Sequence, residues 1–351
     1  MPAEVANAVC GPQKPGTQQP ASGVSLASLN PCPLNACCNK YGQCGINQDF
    51  CTESKSATGA PGTSAPGQNG CISNCGTDVV VGDAPAEYIS IGYFEAHNLK
   101  RPCLNMKITA MDLTPYTHIH LSFGEVSTSY EVDISPIQDQ WELFQQLSGF
   151  KKILSLRGWS FSTEPATYSI FREAVQPGNQ DTFVANIVYF VTENGLDGID
   201  IDWEYPAAPD IPGIPAGTYR PPLSCSSFGN TVDVKIYCRQ RRRYGELPHL
   251  HHETAGRDAD RQVRLVLRGY SISKMAAAAD YIVFMTYDLH GQWDYANQYA
   301  VDGCPKGNCL RSQVNITETL QTLAMITKAG VPSNKIAVGV SSYGRSFQIN
   351  Y

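Results

Sequence analysis

The stretch LDGIDIDWEYP, residues 196–206, decides the fold class because acidic side chains alternate in it with large apolar ones. In a β-strand alternate side chains point to the same face, so this stretch predicts a strand with one acidic and one apolar face. The acidic face carries Asp200, Asp202 and Glu204, and the apolar face carries Ile199, Ile201 and Trp203. We expect the apolar face to be buried and the acidic face to line a polar cleft.

The crowded acids favour acid catalysis. Carboxylates a few ångström apart cannot all ionise easily, which predicts that at least one keeps its proton near neutral pH. A general acid needs a proton held in this way. A solvated acidic loop and a structural calcium site are the alternatives. Calcium loops carry Gly and Asn turns rather than an alternation of Ile, Ile and Trp, so we prefer the catalytic interpretation.

Length and charge limit the fold and the partners. The 351 residues give room for one large domain with an ample core and one small domain. A net charge of -6 and a pI near 5.6 argue against nucleic acid or an anionic membrane as the main partner. No apolar run is long enough to cross a bilayer. The N-terminal residues lack the basic and apolar regions of a secretory signal, so we expect either an intracellular protein or a missing N-terminus.

The cysteines favour a secreted protein over an intracellular one. Eight of the 13 cysteines fall between Cys10 and Cys75, a density typical of a disulfide-stapled module. A zinc site is the alternative, but a vicinal cysteine pair and the lack of paired C-x-x-C knuckles argue against it. The odd total predicts at least one unpaired thiol. We also expect a local disulfide between Cys304 and Cys309, with two free thiols as the alternative.

From Ala86 onward, short apolar runs alternate with longer amphipathic stretches, as expected of a parallel α/β fold. Phe183, Ile187 and Phe190 keep a helical period, and Gly195 stands where that helix should end. The predicted strands are YISIGYF (88–94), HIHLSFG (118–124), KKILSL (151–156), GIDIDWE (198–204), YIVFMTYD (281–288) and KIAVGVSSYG (335–344).

The N-terminal cysteine spacing, CPLNACCNKYGQCGINQDFC at residues 32–51, resembles the hevein-type chitin-binding module. We place this module at 10–76, with its core at 32–51, followed by a linker at 77–87. The resemblance implies disulfides among eight cysteines, which are Cys10, Cys32, Cys37, Cys38, Cys44, Cys51, Cys71 and Cys75. By position it makes Tyr41 and Phe50 stacking platforms for sugar rings, with Asn39 where the family usually has Ser. Gln43 stands where an aromatic is common, so we expect weak binding that raises local concentration on chitin.

The larger segment, 88–351, resembles the glycoside hydrolase family 18 chitinases. The D-x-x-D-x-D-x-E signature runs from Asp197 to Glu204, and FMTYD at 284–288 resembles the later M-x-Y-D motif. IGYF, LSFG and YGRSF stand where the family has its first, second and seventh strands. The combination with a hevein-like module resembles the fungal class V, killer-toxin-like chitinases. The resemblance implies a (β/α)8 TIM-type barrel with its site at the carboxyl ends of the strands.

The resemblance also implies the mechanism, which is substrate-assisted and retaining. Glu204 would protonate the leaving oxygen while the N-acetyl carbonyl of the sugar attacks the anomeric carbon. Asp202 would orient the acetamido group and share a proton with Asp200, and Tyr287 would donate to the N-acetyl carbonyl. Asp197 would be structural, and no metal or other cofactor is implied. The expected groove residues are Met285, Asp288, Trp293, Tyr93 and Trp159, with core packing as the alternative for the last two.

Three features depart from the family pattern. Arg157 replaces the first Gly of the S-x-G-G motif, and we expect it to pair with the acidic cluster. Residues 219–267 show no clear strand until their end, and nine of the 26 Lys and Arg lie between Lys235 and Arg268. We interpret 219–267 as frameshifted or mis-spliced, which would remove strand 5 and make Cys225 and Cys238 spurious. Third, the eighth strand is missing after Tyr351, so we expect an incomplete barrel. A nucleic-acid patch at CRQRRR (238–243) and a metal site at HLHHE (249–253) are the alternatives for this segment.

These observations predict a secreted, monomeric chitinase that acts on chitin and chitooligosaccharides, without nucleic-acid or membrane partners. We expect little activity in a chain with a damaged barrel, because open sheet edges favour aggregation. The alternatives are a non-catalytic, lectin-like chitin-binding protein and a chitin-docking subunit of a killer toxin. The sequon at Asn315, Ile316 and Thr317 agrees with secretion.

Overall fold

A computed structural model describes residues 1–54, 70–204, 272–296, 304 and 306–347. The chain divides into two compact units. Of the described residues, 85–204 and 272–280 form one, here called the sheet unit. The others, which are residues 1–54, 70–84, 281–296, 304 and 306–347, form the cysteine unit. The predicted strand 5, the segment 219–267 with Cys225 and Cys238, and the CRQRRR and HLHHE stretches lie outside the described residues.

The sheet unit contains a parallel sheet with the strand order β4-β5-β7-β8, and β6 pairs antiparallel with β5. Its strands are β4 (Ile91–Glu95), β5 (His118–Val126), β6 (Val132–Asp133), β7 (Lys151–Leu156) and β8 (Gly198–Ile201). Its helices are α2 (Gln138–Gln146), α3 (Trp159–Thr163), α4 (Tyr168–Ala174), α5 (Gln180–Glu193) and α6 (Ile272–Ala278). The predicted α/β class is confirmed, and closure of the sheet into a barrel stays a prediction.

The core of the sheet unit lies between the strands and the helices. Leu121, Leu154 and Leu156 are fully buried from the strands, and Phe144 and Phe171 are buried from the helices. Such residues stabilise the sheet by roughly 1.5–3 kcal/mol each when fully buried. Together they hold the carboxyl ends of β4, β5, β7 and β8 in fixed register.

Helix α5 follows the predicted period. Phe183 and Ile187 are buried, and Phe190 packs partly buried against the same core. The helix ends at Glu193, and Gly195 adopts a φ of 58°, a conformation that glycine adopts without strain. The predicted helix end is therefore confirmed, and the chain turns there directly into β8.

Strand β8 is shorter than predicted. The last paired residues are Ile201 of β8 and Leu156 of β7, so the β-ladder between the two strands ends there. Asp202 still donates its backbone N–H to the Leu156 carbonyl, at 3.2 Å. Asp202, Trp203 and Glu204 therefore follow the strand end instead of lying within the strand.

The cysteine unit contains small elements stapled by disulfides and a separate parallel strand pair. Its strands are β1 (Cys37–Asn39), β2 (Cys44–Gly45), β3 (Cys71–Ser73), β9 (Ile282–Met285) and β10 (Ile336–Gly339), and its helices are α1 (Gln48–Cys51) and α7 (Ile316–Lys328). β1 pairs with β2 and β3, and β9 pairs in parallel with β10. Strands β9 and β10 lie within their predicted ranges but are shorter.

All eight candidate cysteines form disulfides, which are Cys10–Cys38, Cys32–Cys44, Cys37–Cys51 and Cys71–Cys75. The predicted Cys304–Cys309 disulfide is also present. Because these sulfurs are bonded in pairs, they are not thiolates available to zinc. Among the described residues, Cys103 is an unpaired, exposed thiol.

None of the helices in the described residues is both long and apolar enough to cross a membrane.

Candidate active site

Asp200 lies on β8, where three side chains from neighbouring strands reach one of its carboxylate oxygens. The Tyr93 hydroxyl on β4 and the Ser155 hydroxyl on β7 each donate to Asp200 Oδ2 at 2.8 Å. His120 Nδ1 on β5 lies 3.1 Å from the same oxygen. Register explains the meeting, because Asp200 pairs directly with Ser155 across β7 and β8. Every strand of the parallel sheet therefore contributes to one polar cluster.

The surroundings of Asp200 lower the pKa of this carboxyl. Burial works in the opposite direction, but the hydrogen bond and charge of His120, with the hydrogen bonds from Ser155 and Tyr93, outweigh it. Asp200 is therefore an ionised carboxylate, so His120 Nδ1 carries the hydrogen that it donates. The Tyr93 and His120 rings also pack together, with centroids 4.6 Å apart.

Asp202 and Glu204 converge on the backbone of Gly158, the residue before α3. A Cβ atom placed on Gly158 would lie 2.5 Å from Asp202 Oδ2 and 2.9 Å from Glu204 Oε1. The Ser162 hydroxyl of α3 accepts the backbone N–H of Glu204 at 3.1 Å. Only glycine leaves room for both carboxylates at this point.

Asp202 holds a proton at neutral pH. Burial, followed by repulsion from Glu204 and then Asp200, raises the pKa of Asp202 to about 8. The sequence predicted that at least one acid would be protonated, and burial together with the neighbouring carboxylates places a proton on Asp202. The proton that Glu204 needs as the general acid stays a prediction. A neutral carboxyl beside the ionised Asp200 can donate a hydrogen bond to a bound polar group.

The apolar face of the acidic strand is only partly covered. Trp203 packs on Phe171, with ring centroids 5.6 Å apart, and Ile199 packs against the same core. Ile201 is 42% exposed, so its expected burial is wrong. Within the described residues β8 is the last strand of its sheet, and no described strand lies beyond it to cover this side chain.

Two charged residues near the site pair away from it. Asp197 accepts from Lys151 Nζ at 2.7 Å and from the Lys152 backbone N–H at 2.9 Å, which fits the predicted structural role. Burial raises the pKa of Asp197, but the hydrogen bonds from Lys151 and Lys152 outweigh it, and the net effect is a lowered pKa. Arg157 pairs with Glu125 on β5 at 2.5 Å. The expectation that Arg157 pairs with the acidic cluster is therefore wrong, because the Glu125 carboxylate on the adjacent strand pairs with the cation.

The two aromatic residues predicted for the groove in this unit are exposed. Trp159 is 53% exposed at the start of α3, and Tyr93 is 40% exposed while its hydroxyl binds Asp200. Core packing, the alternative for both, does not describe them. Flat exposed rings next to the carboxylates can stack on an apolar sugar face.

The other predicted site residues cluster in the cysteine unit, at and after the end of β9. Arg345 Nε donates to Asp288 Oδ1 at 2.7 Å, and its guanidinium lies 4.6 Å from the Trp293 ring centroid. The Tyr287 ring meets Tyr343 edge-on, with centroids 6.1 Å apart. Burial, with the hydrogen bond to Asp288, raises the pKa of Tyr343. Met285 is the last residue of β9 and half-buried.

A buried ion network holds the loop that carries Trp293. His290 Nδ1 lies 2.8 Å from Asp294 Oδ2, and Nε2 lies 3.0 Å from Glu318 Oε2 on α7. Burial lowers the pKa of His290, but the hydrogen bonds to Glu318 and Asp294 outweigh it and raise the pKa. Arg311 pairs with the same Glu318. A histidine with a carboxylate at each nitrogen donates from both, which fastens this loop to the helix.

Sequence reasoning missed His120, Ser155, Tyr343, Arg345 and His290. A signal existed for two of them. His120 and Ser155 occupy the centres of two predicted strands, where a polar side chain inside an apolar run indicates a buried partner. Tyr343 and Arg345 lie in YGRSF (343–347), which the sequence indicated only as a family motif.

In the N-terminal module, one of the three predicted binding residues is well exposed. Tyr41 is 52% exposed, and Lys40 Nζ lies 5.0 Å from its ring centroid. Asn39 is buried and its Oδ1 accepts the backbone N–H groups of Tyr41 and Gln43, both at 3.0 Å. Phe50 packs against Gly45, where a Cβ would fall 1.9 Å from the ring. The arrangement therefore offers Tyr41 to a ligand and uses the Asn39 carbonyl to shape the turn.

The chain matches a known protein family over most of its length. The family described as Glycosyl hydrolases family 18 matches residues 89–351.

Comparison with known proteins gives longer matches. The chain is 48% identical to the "Secreted chitinase LysM12" of Penicillium expansum, over 99% of this chain and 22% of that protein. It is 35% identical to the "Killer toxin subunits alpha/beta" of Kluyveromyces lactis, over 99% of this chain and 27% of that protein. The chain thus spans about a quarter of the length of these relatives. Among solved structures, the chitinase domain of the spore coat protein CotE from Clostridium difficile has a TM-score of 0.47 at 20% identity, covering 74% of this chain and 66% of that one.

Proposed function

Because the chain belongs to glycosyl hydrolases family 18, we propose that it is a chitinase, which hydrolyses the β-1,4 bonds of N-acetylglucosamine polymers. The observation that carries the proposal is the convergence of Asp202 and Glu204 on Gly158 beside the ionised Asp200. Three carboxyl groups so close together fit the acid chemistry of glycoside cleavage better than a structural role.

The proposed reaction is substrate-assisted and retaining. Glu204 protonates the leaving glycosidic oxygen, and the N-acetyl carbonyl oxygen of the substrate attacks the anomeric carbon. This forms a positively charged oxazolinium ion, which water then opens. Asp202 orients the acetamido group and shares its proton with Asp200. The raised pKa of Asp202 supports this assignment, because a protonated Asp202 next to an ionised Asp200 can move a proton between them.

Each unit, taken by itself, carries residues proposed to line a sugar groove. Tyr93 and Trp159 are exposed rings in the sheet unit, and Trp293 is an exposed ring in the cysteine unit. Tyr287 donates to the N-acetyl carbonyl in this proposal, and Met285 and Asp288 line the groove. Arg345 supports the assignment indirectly, because it holds Asp288 and covers one face of Trp293.

The proposed role of the N-terminal module is to hold the enzyme on chitin. Tyr41 is the stacking platform, because it is the exposed aromatic ring of the predicted set. Phe50 and Asn39 are proposed to support the same surface. We also propose that the protein is secreted, since its five described disulfides suit an oxidising compartment. A monomeric state is proposed as well.

Hydrolysis of a chitooligosaccharide by the protein with residues 219–267 repaired tests the proposal. The transcript across residues 219–267 is read first, and an in-frame, correctly spliced message would overturn the interpretation of that segment. Glu204→Gln should then lower kcat by about 10²-fold or more, since loss of a general acid costs this much. The matched control is Glu164→Gln, an exposed glutamate, which should keep full activity. Equal activity in the two variants would remove Glu204 as the acid.

A second candidate function is chitin docking by a killer toxin. The observation that favours it is the 35% identity to a protein named as killer toxin subunits. A chitin pull-down combined with a killing assay on fungal cells tests it. Killing that survives Glu204→Gln would favour docking alone, as would chitin binding without hydrolysis.

A further inference from the structure

The last turn of helix α7 contacts the cysteine-rich module through one lysine. Lys328 Nζ donates to the backbone carbonyls of Asn74, at 3.0 Å, Cys75, at 3.3 Å, and Gly76. These carbonyls belong to consecutive residues, separated by about 250 positions from the lysine in sequence. An ammonium group has three N–H donors, so one lysine can satisfy all three oxygens.

The carbonyls converge because the chain turns sharply at this point. Asn74 has a φ of 52° and Gly76 a φ of 90°, and the Cys71–Cys75 disulfide closes the loop that contains them. Gly76 also donates its N–H to the Cys51 carbonyl at 2.9 Å. Burial lowers the pKa of Lys328, and the charge of Asp78 opposes that effect. The acceptors are therefore held in place by the module itself before the lysine binds.

Further hydrogen bonds join the same two parts of the chain. Asn35 Nδ2 donates to the Lys328 carbonyl at 2.9 Å. Beyond the module, the Val80 N–H donates to Thr327 Oγ1 at 3.0 Å, and the Gly82 N–H donates to Ser333 Oγ at 2.9 Å. The segment predicted as a linker, 77–87, is thus hydrogen-bonded at two of its residues.

Apolar contact completes the interface. Ala324 and Met325 of α7 are nearly fully buried, and they line a small cavity whose opposite wall is formed by the module. The stem of Lys328 lines the same cavity. The module residues in that wall are Ala36, Cys37, Ile46, Cys51 and Gly76. Burial of a lysine stem with its charged end on carbonyl oxygens is an arrangement typical of a specific contact.

We propose that the cysteine-rich module is docked on α7 as an integral part of the cysteine unit, with Lys328 as its main anchor. This inference goes beyond the proposed function. It replaces the expected linker at 77–87 by a fixed contact, so that Tyr41, the proposed stacking platform, keeps a fixed orientation relative to α7. The local concentration of the enzyme on chitin is then set by the fixed position of the docked module and not by the length of a linker.

Native-state hydrogen exchange on the whole chain tests the docking. The Val80 and Gly82 amides should be protected, because each donates to a side chain of the other part. Lys328→Met keeps the stem and removes the charge, and should accelerate exchange at both amides by about tenfold or more. The Cys71 amide, which donates to the Thr52 carbonyl inside the module, should be unchanged.

The matched control is Lys306→Met, an exposed lysine of the same unit, which should leave both amides protected. Thr327→Val removes the acceptor of the Val80 amide without touching Lys328 and provides a second test if Lys328→Met folds poorly. Lys328→Arg should restore protection only in part, because a planar guanidinium does not match three converging carbonyls. Unprotected Val80 and Gly82 amides in the parent chain would overturn the proposal, as would unchanged exchange in both Lys328→Met and Thr327→Val.

Discussion

His120 Nδ1 lies 3.1 Å from Asp200 Oδ2, and the imidazole is almost fully buried against the Tyr93 ring. The contact joins the second strand of the sheet to the fourth across β7, which supplies Ser155 to the same oxygen. It is a positioning contact, because His120 acts on the cluster through Asp200. The charge of Asp200 in turn helps to raise the pKa of Asp202, the carboxyl group with which it shares a proton in the proposed reaction.

The first prediction concerns His120→Ala. Loss of this donor should raise the pKa of Asp200 towards its ordinary value, so the acid limb of kcat/KM should move to higher pH. Because the pKa of Asp200 is lower in the folded than in the unfolded state, its ionised carboxylate stabilises the fold at pH values above the unfolded-state pKa. This stabilisation is lost as the pH falls through the folded-state pKa. The variant should therefore lose about 1.5–3 kcal/mol at neutral pH and less in acid. Urea unfolding and a pH–rate profile measure both effects.

The control for this variant is His97→Ala, at an exposed histidine of the same unit. It should leave both measurements unchanged. His120→Asn retains a donor and should recover part of the acid limb. An acid limb that does not move in His120→Ala would contradict the positioning role.

The second prediction concerns Asp202→Asn. The pKa of Asp202 is raised from 3.8 to about 8, so its contribution to stability is complete below 3.8 and is lost as pH rises to about 8. Asparagine cannot ionise, so the variant should gain stability over the parent as pH rises, by on the order of a few kcal/mol near pH 8. Urea midpoints near pH 4 and pH 8 measure the gain. Asp181→Asn, at an exposed aspartate, should show no such trend, and the idea fails if both variants respond equally to pH.

The third prediction concerns Gly158→Ala. The added Cβ would lie 2.5 Å from Asp202 Oδ2 and 2.9 Å from Glu204 Oε1, so at least one carboxylate must move. A displacement of about 1 Å at a reacting group can lower the rate by roughly 10²-fold. Gly178→Ala is the matched control, because a Cβ there meets nothing within 4 Å. Steady-state kinetics on a chitooligosaccharide compare them, and full activity in Gly158→Ala would show that the acids do not need this space.

The fourth prediction concerns Tyr41→Ala in the cysteine-rich module. Loss of an exposed stacking ring should lower retention on chitin severalfold and leave the unfolding midpoint unchanged, since an exposed side chain contributes little to stability. Tyr88→Ala, at an 83% exposed tyrosine of the sheet unit, is the control. A pull-down on solid chitin gives the measurement. Equal retention in the two variants would remove Tyr41 as the platform.

The features that depend on neighbouring residues could be predicted from the amino-acid sequence. Alternation predicted the strands and the acidic face, helical periodicity with Gly195 predicted the end of α5, and the cysteine spacing predicted a disulfide-bonded module. Each signal is local, because the direction of a side chain and the conformation of a glycine follow from the backbone of the same segment. The chemistry of three crowded acids followed from the same stretch.

Contacts between residues far apart in the chain depend on how the segments pack, and these could not be predicted from the sequence. His120 and Ser155 reach Asp200 from strands that lie 80 and 45 positions away in the chain. The placement of the proton on Asp202, the pairing of Arg157 with Glu125 and the anchoring of Lys328 depend on distances between segments. Periodicity reports the face of a strand but not the strands beside it, and a pKa depends on burial and on charges a few ångström away. For that reason the sequence supplied the acids, while the packing of separate segments decided which of them carries the proton.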